Sequence, residues 1–573
     1  MVSKPVTCSS IWPLALRISW LSAALLGCGS AERPAPHRDA DLVLVGGDVR
    51  TMDLVHPHAS AVAVADGVIT AVGSDADVQS WIGKQTQVIE LRGRTLTPGL
   101  VDAHCHLYEL GQDLERVSVS DAASAEDAAR ITAEAAKTRP AEAWVLGRGW
   151  DQNKWPGQQF PAAATLDQIA HPVMLERVDG HAIWVNTRAL QLAGITDKTP
   201  DPAGGRIVRD DKGMPTGVLV DNAVDLVKTK LPRETPEDRE REIRAGIDAA
   251  ISHGLTGIHE MGIEDATADV YMRLADSGHL PLRVYAFLLG DPAHLERLST
   301  PPGPRHGNFQ MRGVKFFADG ALGSRGARLY ADYDDAPGTR GLWVTDPDAL
   351  ARSVDAAVAH HWQVAIHAIG DAGIGSVLDA YLAAEAKHPG EHRLRVEHLQ
   401  ILAPDDLPRL VKSHAIASMQ PTHATSDMPW AEARIGAKRI LGAYAWRTVL
   451  DAGVPLAFGS DFPVEQVNPL LGIYAAITRQ DAKGNPAGGW YPAQRMSLDE
   501  ALAAFTRGAA YAEFAEGQRG TIAVGHDADL TMFAHALAPT TMLLNESVQL
   551  TIVGGKIVYA RPPRGTVPET NPL

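Results

Sequence analysis

TPGLVDAHCHL, residues 97–107, is the stretch from which the rest of the chain is read. Pro98 and Gly99 open an apolar run that closes on His104 and His106, the pattern of a short buried strand bounded by turn formers. Side chains alternate across a strand, so His104 and His106 share one face while Cys105 points to the other. Two neutral imidazoles on one face can clamp a divalent metal at about 2.0–2.1 Å per nitrogen, and Cys105 is not expected to join them. A lone His-x-His also occurs as a hydrogen-bonded pair at a strand end, so the residues further along the chain must decide.

Seven more runs of the same kind follow: GLTGIHEMG (254–262), LRVYAFLLG (282–290), GVKFFADGALG (313–323), QVAIHAIGDAG (363–373), LRVEHLQ (394–400), IASMQPTH (416–423) and PLAFGSDFP (455–463). Alternating with Ala/Leu/Arg-rich helical stretches, they predict an α/β fold, an eight-stranded parallel (β/α)8 TIM barrel over residues 96–510. Active sites of such barrels lie at the carboxyl ends of the strands. Lys315, His367, His398 and Asp461 fall there, spaced by one or two βα units of about 30 residues each, and are expected to converge with the His-x-His on one barrel mouth. A long insertion after the first barrel strand, about 107–250, reads as a lid or subdomain. In it Trp150, Trp155 and Trp184 either wall a pocket or form the insertion's own core. His181, preceded by Asp179 and Gly180, stands where backbone can approach closely.

The two ends of the chain carry Val/Ile-rich runs punctuated by Gly-Asp turns, at 41–95 and 511–565, which predict one composite β-sandwich domain built from both termini. Ahead of it, residues 1–28 place Lys4 and Arg17 before the apolar run ISWLSAALLG and Cys28. That run is too short to span a bilayer, which needs roughly 20 apolar residues, and fits a signal peptide instead. LLGC followed by Gly29 resembles a bacterial lipoprotein signal, with Cys28 as the lipidation site and 29–40 as a tether. The expected location is extracytoplasmic, lipid-anchored on the periplasmic side of a bacterial membrane; a cytoplasmic protein with a spurious leader is the alternative. With 53 basic against 69 acidic residues the net charge is -16, which opposes binding to nucleic acid and to anionic lipid surfaces. Membrane contact is expected only through the anchor. Three cysteines, Cys8, Cys28 and Cys105, leave no room for a disulfide framework or a Cys-rich zinc module.

The motifs DAHCH, VKFFADGALGS, AIHAIGD, RVEHLQ and FGSDFP, with GRGWDQNKWP (147–156) and DGHAIWVN (179–186), resemble those of the metal-dependent amidohydrolase superfamily, and within it the YtcJ-like (amidohydrolase 3) group. The resemblance implies a metal site in which His104 and His106 bind a first ion, His367 and His398 a second, a carbamylated Lys315 bridges them, and Asp461 touches metal and water. Chemistry agrees: burial favours a neutral lysine, and a neutral amine that captures carbon dioxide becomes a bridging carboxylate. Some relatives bridge with Glu, for which Glu176 and Glu260 are the candidates here.

One or two divalent ions, zinc foremost, would lower the pKa of water from 15.7 toward about 7 and so supply a hydroxide nucleophile. The expected activity is hydrolysis of an amide or other non-peptide C–N bond in a small-molecule substrate, with Asp461 handling the proton and His181 stabilising the oxyanion. Arg325, His423 and Trp150 are further candidates for fixing the substrate. A metal-assisted isomerase or lyase, or an inactive substrate-binding lipoprotein, could use the same constellation. A homodimer is the expected assembly, although no residue pattern selects it.

Overall fold

The computed structural model describes residues 38–562 except 141, 178–181, 203, 204 and 233. The described residues from Asp39 onward belong to one compact unit. Cys28, its signal and His181 lie outside the described residues.

Eight parallel strands, here β1 to β8, make the central sheet: Leu100–Cys105, Leu255–Ile263, Arg283–Leu289, Phe309–Phe317, Gln363–Ala368, Arg395–His398, Ile416–Met419 and Leu456–Phe458. Each pairs with the next in chain order, as a barrel of βα units requires. All residues of β1, β6, β7 and β8 are buried, because a parallel strand is covered on one side by helices and on the other by the barrel's own interior. The last gap is drawn together just beyond β8: Asp461 N–H donates to His104 O at 2.7 Å and His106 N–H donates to Phe462 O at 2.8 Å. This seam requires Gly459, where a Cβ would stand 2.5 Å from His104 N.

Two smaller sheets are built from the chain ends. One orders Val68–Gly73, Ala61–Ala65, Leu42–Val45 and Gln87–Glu90; in the other, Leu530–Phe533 pairs antiparallel with Thr95–Pro98, the strand that leads directly into β1. They share one apolar core, with Leu42, Leu44 and Val62 from the first sheet meeting Val49, Leu96, Leu530 and Ile552 from the second.

The insertion leaves the barrel through a helix, Leu107–Glu115, and returns through another, Pro236–Ser252. The two cross closely: a Cβ on Gly111 would lie 1.8 Å from Glu242 O. Between them stands a six-stranded mixed sheet whose core holds Trp150, Trp155 and Trp184. At the edge of this sheet Gly205–Arg209 pairs antiparallel with Pro215–Asp221.

Candidate metal centre

At the carboxyl end of the barrel His104, His106, Lys315, His367, His398 and Asp461 line one cavity of about 370 Å³. Ligand atoms of His104, His398 and Asp461 lie within 4.8 Å of one another, and the His104–His398 and His367–His398 ring centres are 4.7 and 4.5 Å apart. His106 Nε2 lies 3.3 Å and His104 Nε2 3.4 Å from the same oxygen, Asp461 Oδ1.

The outer nitrogens of two imidazoles are already committed. His104 Nδ1 stands 2.5 Å from Glu397 Oε2 and His398 Nδ1 stands 2.9 Å from Gln420 Oε1. Both partners are acceptors, so each Nδ1 carries the proton and each Nε2 keeps its lone pair. Burial, then the Lys315 charge, pushes the His104 pKa down to about 4 and that of His367 to about 3. Burial and the neighbouring rings hold His398 well below its ordinary range. His106 differs: burial lowers its pKa, but the hydrogen bond and charge of Asp461 outweigh that and raise it. Burial would push Asp461 up, yet the surrounding histidines hold it well below the carboxylate range. His104, His367 and His398 are thus neutral imidazoles beside an ionised carboxylate, with His106 drawn the other way by Asp461; imidazole and carboxylate are the donors that zinc and its neighbours accept.

Lys315, 1% exposed, has its Nζ 3.4 Å from His104 Nε2 and is in no carboxylate ion pair among the described residues. Burial brings its pKa down to about 8, so a neutral amine is accessible near neutral pH. Both acidic alternatives are engaged elsewhere. Glu260 accepts Leu107 N–H at 2.6 Å and Tyr108 N–H at 3.0 Å, capping the helix that follows β1. Glu176 pairs with Arg116 and Lys228 in the insertion, at 3.4 and 3.3 Å.

Backbone geometry sets the two residues at the strand ends. His398 and Asp461 have φ of 71° and 64°, left-handed values that cost a non-glycine residue about 1–3 kcal/mol and persist only where the surroundings enforce them. Around Asp461 the enforcement comes from Asp102, whose carboxylate accepts Ser460 Oγ–H at 2.6 Å, Ser460 N–H at 3.0 Å and His104 N–H at 3.1 Å.

A polar layer inside the barrel supports the cluster. Arg395 is fully buried and donates to Glu397 Oε1 at 2.7 Å, Ala103 O at 2.5 Å and Ser418 Oγ at 3.0 Å, with His259 Nδ1 at 2.7 Å. Glu397 is therefore held ionised, the charge of Arg395 and the hydrogen bond from His104 outweighing its burial, and fixes the ring of His104. Asp319, in the loop after β4, accepts the N–H groups of Arg328, Ile369 and Gly370 at 2.7, 3.0 and 2.8 Å and so joins the β4 and β5 loops. None of Arg395, Glu397, Asp102 or Asp319 stands out as a site residue in the sequence. The one signal there is a pair of charges one residue apart, Arg395 and Glu397, in a run otherwise reading as buried strand.

Two of the expected substrate contacts need correction. Trp150 is fully buried, donates from Nε1 to Leu175 O at 2.8 Å and packs on Trp155 and Trp184, in the core of the insertion. Arg325 makes a bidentate pair with Asp335 at 3.0 and 2.8 Å on the outer loop after β4 and does not line the cavity. His423 does line it, with Nε2 3.5 Å from Asp461 Oδ2 and no hydrogen-bond partner among the described residues.

The amidohydrolase family pattern matches residues 87–559. The chain is 34% identical over 534 residues to the putative amidohydrolase YtcJ of Bacillus subtilis, covering 90% of this chain and 99% of that one. It is 27% identical over 546 residues to the N-substituted formamide deformylase of Arthrobacter pascens, covering 91% and 98%. The crystal structure of an uncharacterised metal-dependent hydrolase from Pyrococcus horikoshii superposes with a TM-score of 0.72 at 25% identity, over 86% of this chain and 96% of that one. With its barrel, its cluster of imidazoles around Asp461 and this likeness along nearly its whole length, the chain belongs to the metal-dependent amidohydrolase superfamily, in the YtcJ-like group, and is a hydrolase.

Proposed function

We propose that the chain hydrolyses an amide-type, non-peptide C–N bond of a small substrate held in the cavity above the cluster. The observation that carries this reading is the convergence of four histidines, Lys315 and Asp461 on that one cavity. The 27% identity to an N-substituted formamide deformylase along nearly the whole chain supports the bond type.

The donor set suits divalent zinc: His104 and His106 would hold one ion, His367 and His398 a second, Lys315 as a carbamate would lie between them, and Asp461 would complete the first. When bound, a divalent cation supplies Lewis acidity and a water that ionises near neutral pH. Asp461, held ionised, accepts the proton of the attacking water and returns it to the departing amine. His423 Nε2, otherwise unpartnered, stands where it can donate to the substrate carbonyl or steady Asp461; His181 is the second donor in this reading. Glu397 and Gln420 keep the imidazoles in one tautomer throughout. The test is a metal-replete screen of N-formyl and N-acyl amines, hydantoin-like rings and lactones, read by amine or ring-opened product. Turnover of lactones alone would overturn the C–N assignment.

We also propose that Cys28 is lipidated after removal of residues 1–27 and anchors the protein outside the cytoplasm. The support is the order of charged, apolar and small residues in that segment.

A further inference from the structure

Asp427, Glu465, Gln400 and Trp430 also line the cavity that holds the cluster. Asp427 ends the helix Pro421–Asp427 after β7, and Glu465 follows Asp461 in the loop after β8. Asp427 Oδ2 accepts Tyr444 O–H at 2.7 Å and a Gln400 Nε2 hydrogen at 3.1 Å, and Glu465 accepts the hydroxyl of Ser426. These donors are neutral: they orient the carboxylates without neutralising them. Neither carboxylate is in an ion pair with Lys or Arg among the described residues. Arg434 is turned to Asp335 at 3.0 Å and lies over the Trp430 ring at 5.1 Å. Among the described residues Lys315 is the single Lys or Arg in the cavity lining, and the proposed function gives it to the ions. Burial raises the pKa of both carboxyls against the opposing influence of the nearby His423, a cost that an incoming cation relieves further. The net charge of -16 favours the approach of cations over anions to the protein as a whole.

We propose that Asp427 and Glu465 form a cation subsite, and that the preferred substrates are N-formyl or N-acyl amines bearing a second, protonated nitrogen. Amides bearing a carboxylate, N-acyl amino acids among them, are rejected, because their charge would meet two carboxylates that no Lys or Arg neutralises among the described residues. About 370 Å³ suits a small molecule of this class. The inference deepens the C–N hydrolase reading and rests on it for the acyl group alone.

The test uses the full-length, metal-loaded protein and three ligands of one length: N-acetyl-1,5-diaminopentane, N-acetylpentylamine and N-acetyl-5-aminopentanoate. Binding is measured by calorimetry and turnover separately by amine release. The ammonium compound is expected to bind roughly tenfold tighter than the neutral one, as charge-assisted hydrogen bonds allow, and the carboxylate compound weakest. Glu465→Gln should reduce the preference several-fold at unchanged metal content, and Asp427→Asn with Glu465→Gln should abolish it. Equal binding of all three, tighter binding of the carboxylate, no binding of any, or a preference unchanged in the double variant would overturn the subsite. If the preference holds and no ligand is hydrolysed, the subsite stands and the C–N reading falls. If the ligands are hydrolysed without any charge preference, the C–N reading stands and the subsite falls.

Discussion

His104 is held from three directions: by Glu397 at Nδ1, by Asp102 at its N–H and by the Asp461 N–H at its carbonyl. A partner that orients a metal-binding imidazole typically changes metal affinity by 10- to 100-fold, so Glu397→Gln should weaken zinc binding by about that factor in competitive chelator titrations. The variant also leaves Arg395 without its charge partner, and breaking a buried pair costs about 3–5 kcal/mol, which chemical denaturation would read. Asp461 and Lys315 separate in a different way. Asp461→Asn keeps an oxygen ligand and loses the proton acceptor, so its rate should fall about 10²- to 10⁴-fold with metal retained. Lys315→Ala should lose metal as well as activity, and a short carboxylic acid in solution should restore part of both by replacing the bridging group. Equal metal content in the two variants would contradict these roles. The strand-end histidines and acids are legible in sequence because polar residues are rare at the end of buried apolar runs. Arg395 and Glu397 are not, since a charged pair inside a barrel looks the same in sequence as a charged pair at a strand edge.

The barrel strands are legible because burial on two sides leaves continuous apolar runs closed by Gly, Pro or Asp, and all eight lie where those runs fall. The insertion is harder to read: its aromatic residues mark a core, and sequence alone does not separate a core tryptophan such as Trp150 from one walling a pocket. The helix pair that carries the insertion makes its own prediction. Glu242, on Pro236–Ser252, has its pKa raised to about 8, first by burial and then by the hydrogen bond and charge of Glu234. A carboxyl whose folded pKa exceeds its unfolded value holds more protons when folded, so stability falls as pH rises from about 4.5 to about 8 and then levels. Glu242→Gln removes that loss. The difference in unfolding midpoint, variant minus parent, should be small at pH 4.5, grow to about pH 8 and stay constant above it; a difference independent of pH would show that Glu242 ionises normally.

At the scale of the whole molecule, β1 begins as a continuation of the six-stranded terminal sheet and ends in the histidine cluster, so sheet domain and site share one strand path. Ions that bind only the folded form add stability as RT ln(1 + [L]/Kd), about 4 kcal/mol at a thousandfold excess over Kd. Chelation should therefore lower the melting temperature reversibly, and zinc should restore it. For the N-terminal segment, intact mass from the native membrane fraction should show a lipid-modified chain beginning at Cys28; an unmodified chain retaining residues 1–27 would contradict the anchor. The central claim is that this cluster holds the ions that drive C–N hydrolysis. It is tested by titrating metal-free protein with zinc while following amine release, beside His398→Ala. The account predicts that the rate rises with bound metal and saturates at one or two ions per chain, and that His398→Ala shows no comparable rise; a full rate in metal-free protein, or full loading and rate in His398→Ala, would contradict it.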